Sequence, residues 1–104
     1  MEVIFIEDDV FQKRRRGLMG EDEFFRFVCW LMARPTAGKV IRGSGGLRKI
    51  RWSATGRGKR GGTRVIYFWW TADDRILLLD IYEKSRKEDL TTDEIRQLKR
   101  KIQP

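Results

Sequence analysis

The chain predicts an α+β fold, a twisted and mostly antiparallel sheet with an N-terminal helix hairpin on one face and a C-terminal helix. Three observations predict it. Phe24, Phe25, Phe27, Val28, Leu31 and Met32 recur at helical spacing. Three strand-like runs, Leu47 to Ser53, Thr63 to Trp70 and Arg75 to Tyr82, follow one another through a glycine-rich loop and a short turn, as antiparallel neighbours do. Thr91 and Glu94 have capping-box spacing just ahead of a last apolar stripe.

Taken in order, Glu2 to Ile6 (EVIFI) is a short strand-like run, suited to joining a sheet built mainly by later residues. Asp8 and Asp9 can cap a first helix over Asp9 to Met19. Its acids lie at the start and Lys13, Arg14, Arg15 and Arg16 further along, as the helix dipole prefers. That basic cluster reads as a solvated helix face ahead of a nucleic-acid patch. Gly17 to Gly20 breaks the chain, and a second amphipathic helix runs from Asp22 to Arg34, where Pro35 ends it. Two helices joined by a glycine turn need a sheet under their apolar face, so the aromatic stripe is expected to be core. Cys29, the only cysteine, lies within that stripe and is expected to be buried.

Ala37 to Gly46 reads as a loop with an extended piece at Val40 to Arg42. In the next strand Leu47, Lys49 and Arg51 alternate with Arg48, Ile50 and Trp52. Burying Ile50 and Trp52 would leave Lys49 and Arg51 side by side on the open face. The strand from Thr63 is apolar on both faces beyond Arg64, which suits a central strand. Asp73 and Asp74 mark a turn before Arg75 to Tyr82. Leu90 and Ile95 then have the spacing of a hydrophobic staple around the Thr91 cap, and Ile95, Leu98 and Ile102 form the last stripe among Arg96, Lys99, Arg100 and Lys101.

Charge is concentrated rather than spread. From Phe24 to Ala72 there are eleven Lys and Arg and no Asp or Glu, whereas the whole chain carries a formal +8. The stretch GSGGLRKIRWSATGRGKRGGTRVIYF, residues 43 to 68, is the centre of this anion-binding half. With 40% apolar residues and 104 in all, the chain reads as one packed domain over residues 1–104. A pI near 10.2 makes nucleic acid the leading partner class, ahead of an anionic membrane surface. No apolar run is long enough to span a bilayer. The opening residues pass straight into Glu7, Asp8 and Asp9, unlike a signal peptide, so the cytoplasm is the expected address. Histidine is absent, which removes the commonest general base and, with one cysteine, makes zinc an unexpected ligand; no cofactor is expected.

Gly56 to Gly61 (GRGKRG) matches the letters of a dinucleotide fingerprint but lies between two strands, where that motif requires a strand and then a helix. No Walker A is present, because Gly38-Lys39 is followed by Val and Gly58-Lys59 by Arg. What remains is a phosphate-gripping loop whose glycines allow close backbone approach and whose Arg57, Lys59 and Arg60 supply charge. Lys49, Arg51 and Arg64 share one sheet face if the hairpin keeps simple register. Such crowded cations fit a polyanion, the alternative being a solvated positive face with no ligand. They also suffice for metal-free RNA cleavage, with a lysine as base and arginines holding transition-state charge. On residues alone, the reading is an RNA- or DNA-binding module.

The runs GGLRKIR, GRGKRGGTRVIY and IYEKSRKEDLT, with the order strand, helix pair, three strands, helix, resemble the HigB-like branch of the RelE/ParE toxins over essentially the whole chain. The resemblance implies a RelE-like fold and a type II toxin that cleaves translated mRNA on the ribosome. It also implies a cognate antitoxin, DNA-binding and HigA-like, through which operator DNA is reached indirectly. Carried over by position, the catalytic set is Lys49, Arg51, Arg64, Tyr82 and Lys84. Lys49 is the candidate base, Arg51 and Arg64 clamp the scissile phosphate, and Tyr82 or Lys84 assists. Arg48, Arg57, Lys59 and Arg60 would hold RNA or ribosome. Ser85 stands where such chains usually have Asn, and Ser85 and Thr91 lie near the places of the arginine and tyrosine used by the best-known RelE enzymes. A ParE-type gyrase poison and a non-catalytic RNA- or ribosome-binding module remain the alternatives.

Overall fold

The structure, a computed structural model, describes residues 3–53 and 62–103. Strand β1 (Ile4–Glu7) leads into helices α1 (Asp9–Arg15) and α2 (Glu21–Ala33). Strands β2 (Lys39–Val40), β3 (Arg48–Trp52), β4 (Thr63–Trp70) and β5 (Arg75–Glu83) follow, and helix α3 (Thr92–Ile102) comes last. The sheet order is β1-β5-β4-β3-β2, with β1 parallel to β5 and the other pairs antiparallel. β1 is held at both ends, since the Ile4 N–H donates to the Asp74 carbonyl at 3.0 Å and the Asp8 N–H to Leu78 at 2.9 Å. It therefore runs to Glu7, past the expected end. Asp8 then turns to cap α1, its carboxylate accepting from the Val10 N–H at 3.0 Å.

α1 stops at Arg15, short of the expected Met19. Leu18 and Met19 both donate their N–H groups to the Arg15 carbonyl, a closing turn that folds Met19 into the core. Arg15 departs from the expected solvated face. It is buried, with Nη2 3.0 Å from Glu21, Nε 3.6 Å from Glu7, Nη1 donating to the Met19 carbonyl and its guanidinium 4.2 Å from the Phe24 ring centroid. Lys13, Arg14 and Arg16 remain exposed.

On α2 only Phe27 and Leu31 are fully buried, with Phe24, Val28 and Trp30 partly so. Phe25 is 69% exposed, and Met32 and Cys29 also face outward, contrary to the expectation of a wholly buried stripe. A helix lying on one sheet buries one face, and positions 25, 29 and 32 recur at i, i+4 and i+7 on the other side of the axis from Phe27 and Leu31.

The helix pair covers one sheet face through Phe11, Met19, Phe27 and Leu31 against Ile50, Val65, Tyr67, Ile76, Leu78 and Ile81. α3 covers part of the opposite face, packing Leu98 with Leu47, Ile66, Leu79 and Tyr82. Leu47 is thus fully buried, so the face it shares with Lys49 and Arg51 is open only beyond α3. The expected capping box is formed: the Glu94 N–H donates to Thr91 Oγ1 at 3.1 Å and the Thr91 N–H to Glu94 Oε1 at 2.8 Å. Among the described residues no helix is long and apolar enough to cross a membrane.

Candidate anion-binding site

Strand alternation and register build the site. Arg51 pairs with Arg64 across β3 and β4, and Arg64 pairs with Tyr82 across β4 and β5. One pleat along, Lys49 pairs with Ile66, so Lys49, Arg51 and Arg64 stand on one face. The β3–β4 register is unbroken over these residues, and the irregularity between Ile66 and Tyr67 falls in the β4–β5 pairing. Because β2 pairs only with Arg48 and Lys49, the outer edge of β3 is uncovered from Ile50 onward. A cleft of about 510 Å³ opens there, lined by Trp30, Lys39, Lys49, Arg51, Arg64 and Glu88 among others. A hollow of about 630 Å³ beside Tyr82, Arg86 and Lys87 is larger, but it holds neither Lys49, Arg51 nor Arg64.

Arg64 is the centre of the cleft. It is 2% exposed, and both terminal guanidinium nitrogens are buried without a hydrogen bond among the described residues. Its nearest carboxylate, Glu88 Oε2, is 3.6 Å from Nη2, an ion-pair distance too long for a good hydrogen bond. A buried cation with unmatched donors is costly, and an anion entering the cleft would relieve that cost. Gly62 holds the chain tight beside it at φ 76°, where an added Cβ would meet the Trp52 carbonyl at 3.2 Å.

Lys49 is engaged: its Nζ donates to Asp89 Oδ1 at 2.5 Å. Arg51 is exposed and has no ion-pair partner among the described residues. Tyr82 is buried beneath α3 rather than displayed in the cleft, and among the described residues its hydroxyl makes a long contact with the Glu88 carbonyl, at 3.5 Å. Burial first, then the charges of Asp89, Asp80 and Glu94, push its hydroxyl up to about 12, with Arg64 pulling the other way. It stays protonated at neutral pH and is a donor there, not a base.

The other sequence-predicted residues lie apart from this cluster. Lys84 sits in the turn after β5, where its backbone N–H donates to the Gly62 carbonyl at 3.2 Å, and it does not line the cleft. Arg48 points to the opposite face, donating to the Gly38 carbonyl at 2.7 Å and so tying the α2–β2 loop to β3. Arg57, Lys59 and Arg60 lie outside the described residues. Reasoning from sequence missed Glu88 and Asp89, which the loop before α3 brings against Arg64 and Lys49. The signal was present as two adjacent acids next to the Leu90 staple, but no sequence rule says which cations such a loop will meet.

Chemically, the cleft offers a fixed guanidinium, a second guanidinium opposite it and an ammonium one pleat away. Arg gives a planar fork matched to phosphate oxygens and Lys a point charge. This arrangement can bind a phosphodiester and stabilise added negative charge on it.

No family model matches the chain. Among solved structures it is similar to a doubly substituted variant of E. coli toxin RelE in the free state. The TM-score is 0.66 at 17% identity, covering 94% of this chain and 98% of that one. The isolated E. coli RelE toxin gives 0.57 at 15% identity over 97% and 100%. A chain of the intact E. coli RelBE toxin–antitoxin complex gives 0.57 at 18% identity over 77% and 94%. At these identities the likeness is one of architecture: the chain has the RelE fold, an α+β sheet with its helix pair on one face and a C-terminal helix.

Proposed function

We propose that this chain is the toxin of a type II toxin–antitoxin pair, acting as a metal-independent endoribonuclease on mRNA held in the ribosome. The observation that carries the reading is Arg64, a buried guanidinium with unmatched donors, directly opposed by Arg51 and lying one pleat from Lys49. The RelE fold over 94% of the chain supports it. In this reading Arg64 and Arg51 grip the two non-bridging oxygens of the scissile phosphate. Attack by the ribose 2′-oxygen forms the new P–O bond, and the P–O5′ bond breaks to leave a 2′,3′-cyclic phosphate. Once its contact with Asp89 opens, Lys49 gives up a proton to solvent, and the resulting amine takes the 2′-hydroxyl proton. The departing 5′-oxygen takes its proton from water, because Tyr82 is buried beneath α3 and Lys84 does not line the cleft.

The partners that follow are the ribosome with its mRNA and a cognate antitoxin, as one structural neighbour is solved in a complex named RelBE toxin–antitoxin. A HigA-like antitoxin would carry the pair to operator DNA, and the HigB-like runs of the sequence favour that branch. The cytoplasm is where such a toxin meets its target. The test is to map mRNA 5′ ends in cells after induction. New ends inside translated codons support the ribonuclease. DNA breaks without such ends identify a gyrase poison, and neither product identifies a non-catalytic RNA-binding protein.

A further inference from the structure

The loop between β5 and α3 lays two acids across the cations of the cleft. Asp89 accepts from Lys49 at 2.5 Å, and Glu88 stands 3.6 Å from the buried Arg64. Lys49 is the more enclosed partner of its pair, with 27% of its side chain exposed against 70% for Asp89. Likewise Arg64 is buried and Glu88 is 59% exposed. The cations are fixed by the sheet, while the carboxylates approach from a solvent-exposed loop. Glu88 also offers its carbonyl to the Tyr82 hydroxyl, a long contact at 3.5 Å, which places the loop over the row formed by Arg51, Arg64 and Tyr82. The loop is anchored on its far side by Lys87 with Glu94 and by the Thr91 cap, so it hangs between two fixed points.

We infer that Glu88 and Asp89 are an internal competitor for RNA phosphate, occupying the cationic cleft until a more strongly bound polyanion displaces them. This rests on the reading of the cleft as an RNA site and names its regulation. The two carboxylates occupy the positions that phosphodiester oxygens would take, so an incoming strand must exchange with them rather than fill empty space. The 3.6 Å gap at Arg64 makes that exchange feasible, because the guanidinium is neutralised without being saturated. Isolated RNA, contributing few simultaneous contacts, is held back. RNA presented with further basic contacts, as on a large ribonucleoprotein surface, overcomes the competitor because the contacts act together.

The test is affinity for a labelled single-stranded RNA about ten nucleotides long, measured with the full-length protein at one fixed salt concentration. The double variant Glu88→Gln, Asp89→Asn should bind about tenfold more tightly than wild type, the sum of one half-buried and one exposed pair relieved. Both substitutions are at exposed positions, and a melting curve reports that folding is kept. The control Asp73→Asn, Asp74→Asn removes the same two charges at the β4–β5 turn, the end of the hairpin away from Arg64, and should gain less than about threefold. If the two double variants gain equally, or the first gains nothing, the internal competitor is refuted. Mapping mRNA 5′ ends with wild-type protein decides the ribonuclease reading separately, because the binding comparison requires no cleavage.

Discussion

Arg51 and Arg64 are directly opposed in the β3–β4 ladder, two guanidinium groups on one face of a sheet, and one of them is buried. Like charges at opposed positions destabilise a sheet, and a desolvated cation with unmatched donors adds to the cost. Arg64→Met should therefore stabilise the fold by about 1–3 kcal/mol, read as a higher urea midpoint at unchanged slope. A residue that weakens the fold and is replaced at a gain in stability is one whose place is explained by function.

Arg15 predicts the opposite sign. Its removal leaves the half-buried Glu7 without its cation, with the buried Oε1 already lacking a hydrogen bond, and frees the Phe24 ring face. Arg15→Ala should cost about 2–4 kcal/mol in urea unfolding, whereas Arg16→Ala, one residue on and exposed, should stay within about 0.5 kcal/mol.

Tyr82 gives a pH signature. Its hydroxyl titrates at about 12 in the folded chain, above the ordinary 10 expected when unfolded. Protonated tyrosine is thus favoured by folding. The associated stability is complete below the unfolded value and is lost as pH climbs from about 10 toward about 12. Tyr67 shifts in the same direction through burial and adds to the wild-type slope. Tyr82→Phe should reduce the loss of unfolding free energy between about pH 9 and pH 11 by about 1 kcal/mol relative to wild type. Because the ring is buried and does not line the cleft, the same variant should lose far less mRNA cleavage than an Arg64 variant.

Gly38 sets the position of β2 and hence one wall of the cleft. A Cβ there would lie 2.8 Å from Tyr67 Cε1 and 3.1 Å from the Lys49 carbonyl, while the Gly38 N–H donates to the Tyr67 hydroxyl at 2.9 Å. Gly38→Ala should lower the melting temperature by several degrees, about 1–3 kcal/mol of overpacking, and weaken RNA binding through the displaced Lys39 edge.

Much of this was legible in the sequence where a local rule applies. Alternation in β3 placed Lys49 and Arg51 together, the Thr91–Glu94 box marked α3, and the apolar β4 announced a central strand. What was not legible depends on tertiary placement. The exposed Phe25, Cys29 and Met32 match the same helical spacing as the buried Phe27 and Leu31, and only the angle at which α2 lies on the sheet separates them. Leu47 lost its open face because α3 returns across it. Arg15 looked like its neighbours until Glu7 and Glu21 closed on it. Asp89 lies forty residues past Lys49, and Glu88 is as remote from any local pattern around Arg64, so no periodicity links them to the cations they face.

If the cationic cleft performs the chemistry, Arg64→Ala should remove it. The variant should remain folded by its melting curve, yet fail to arrest growth on induction and yield no new mRNA 5′ ends inside translated codons. A folded Arg64→Ala protein that arrests growth and cuts mRNA as wild type does would contradict the account.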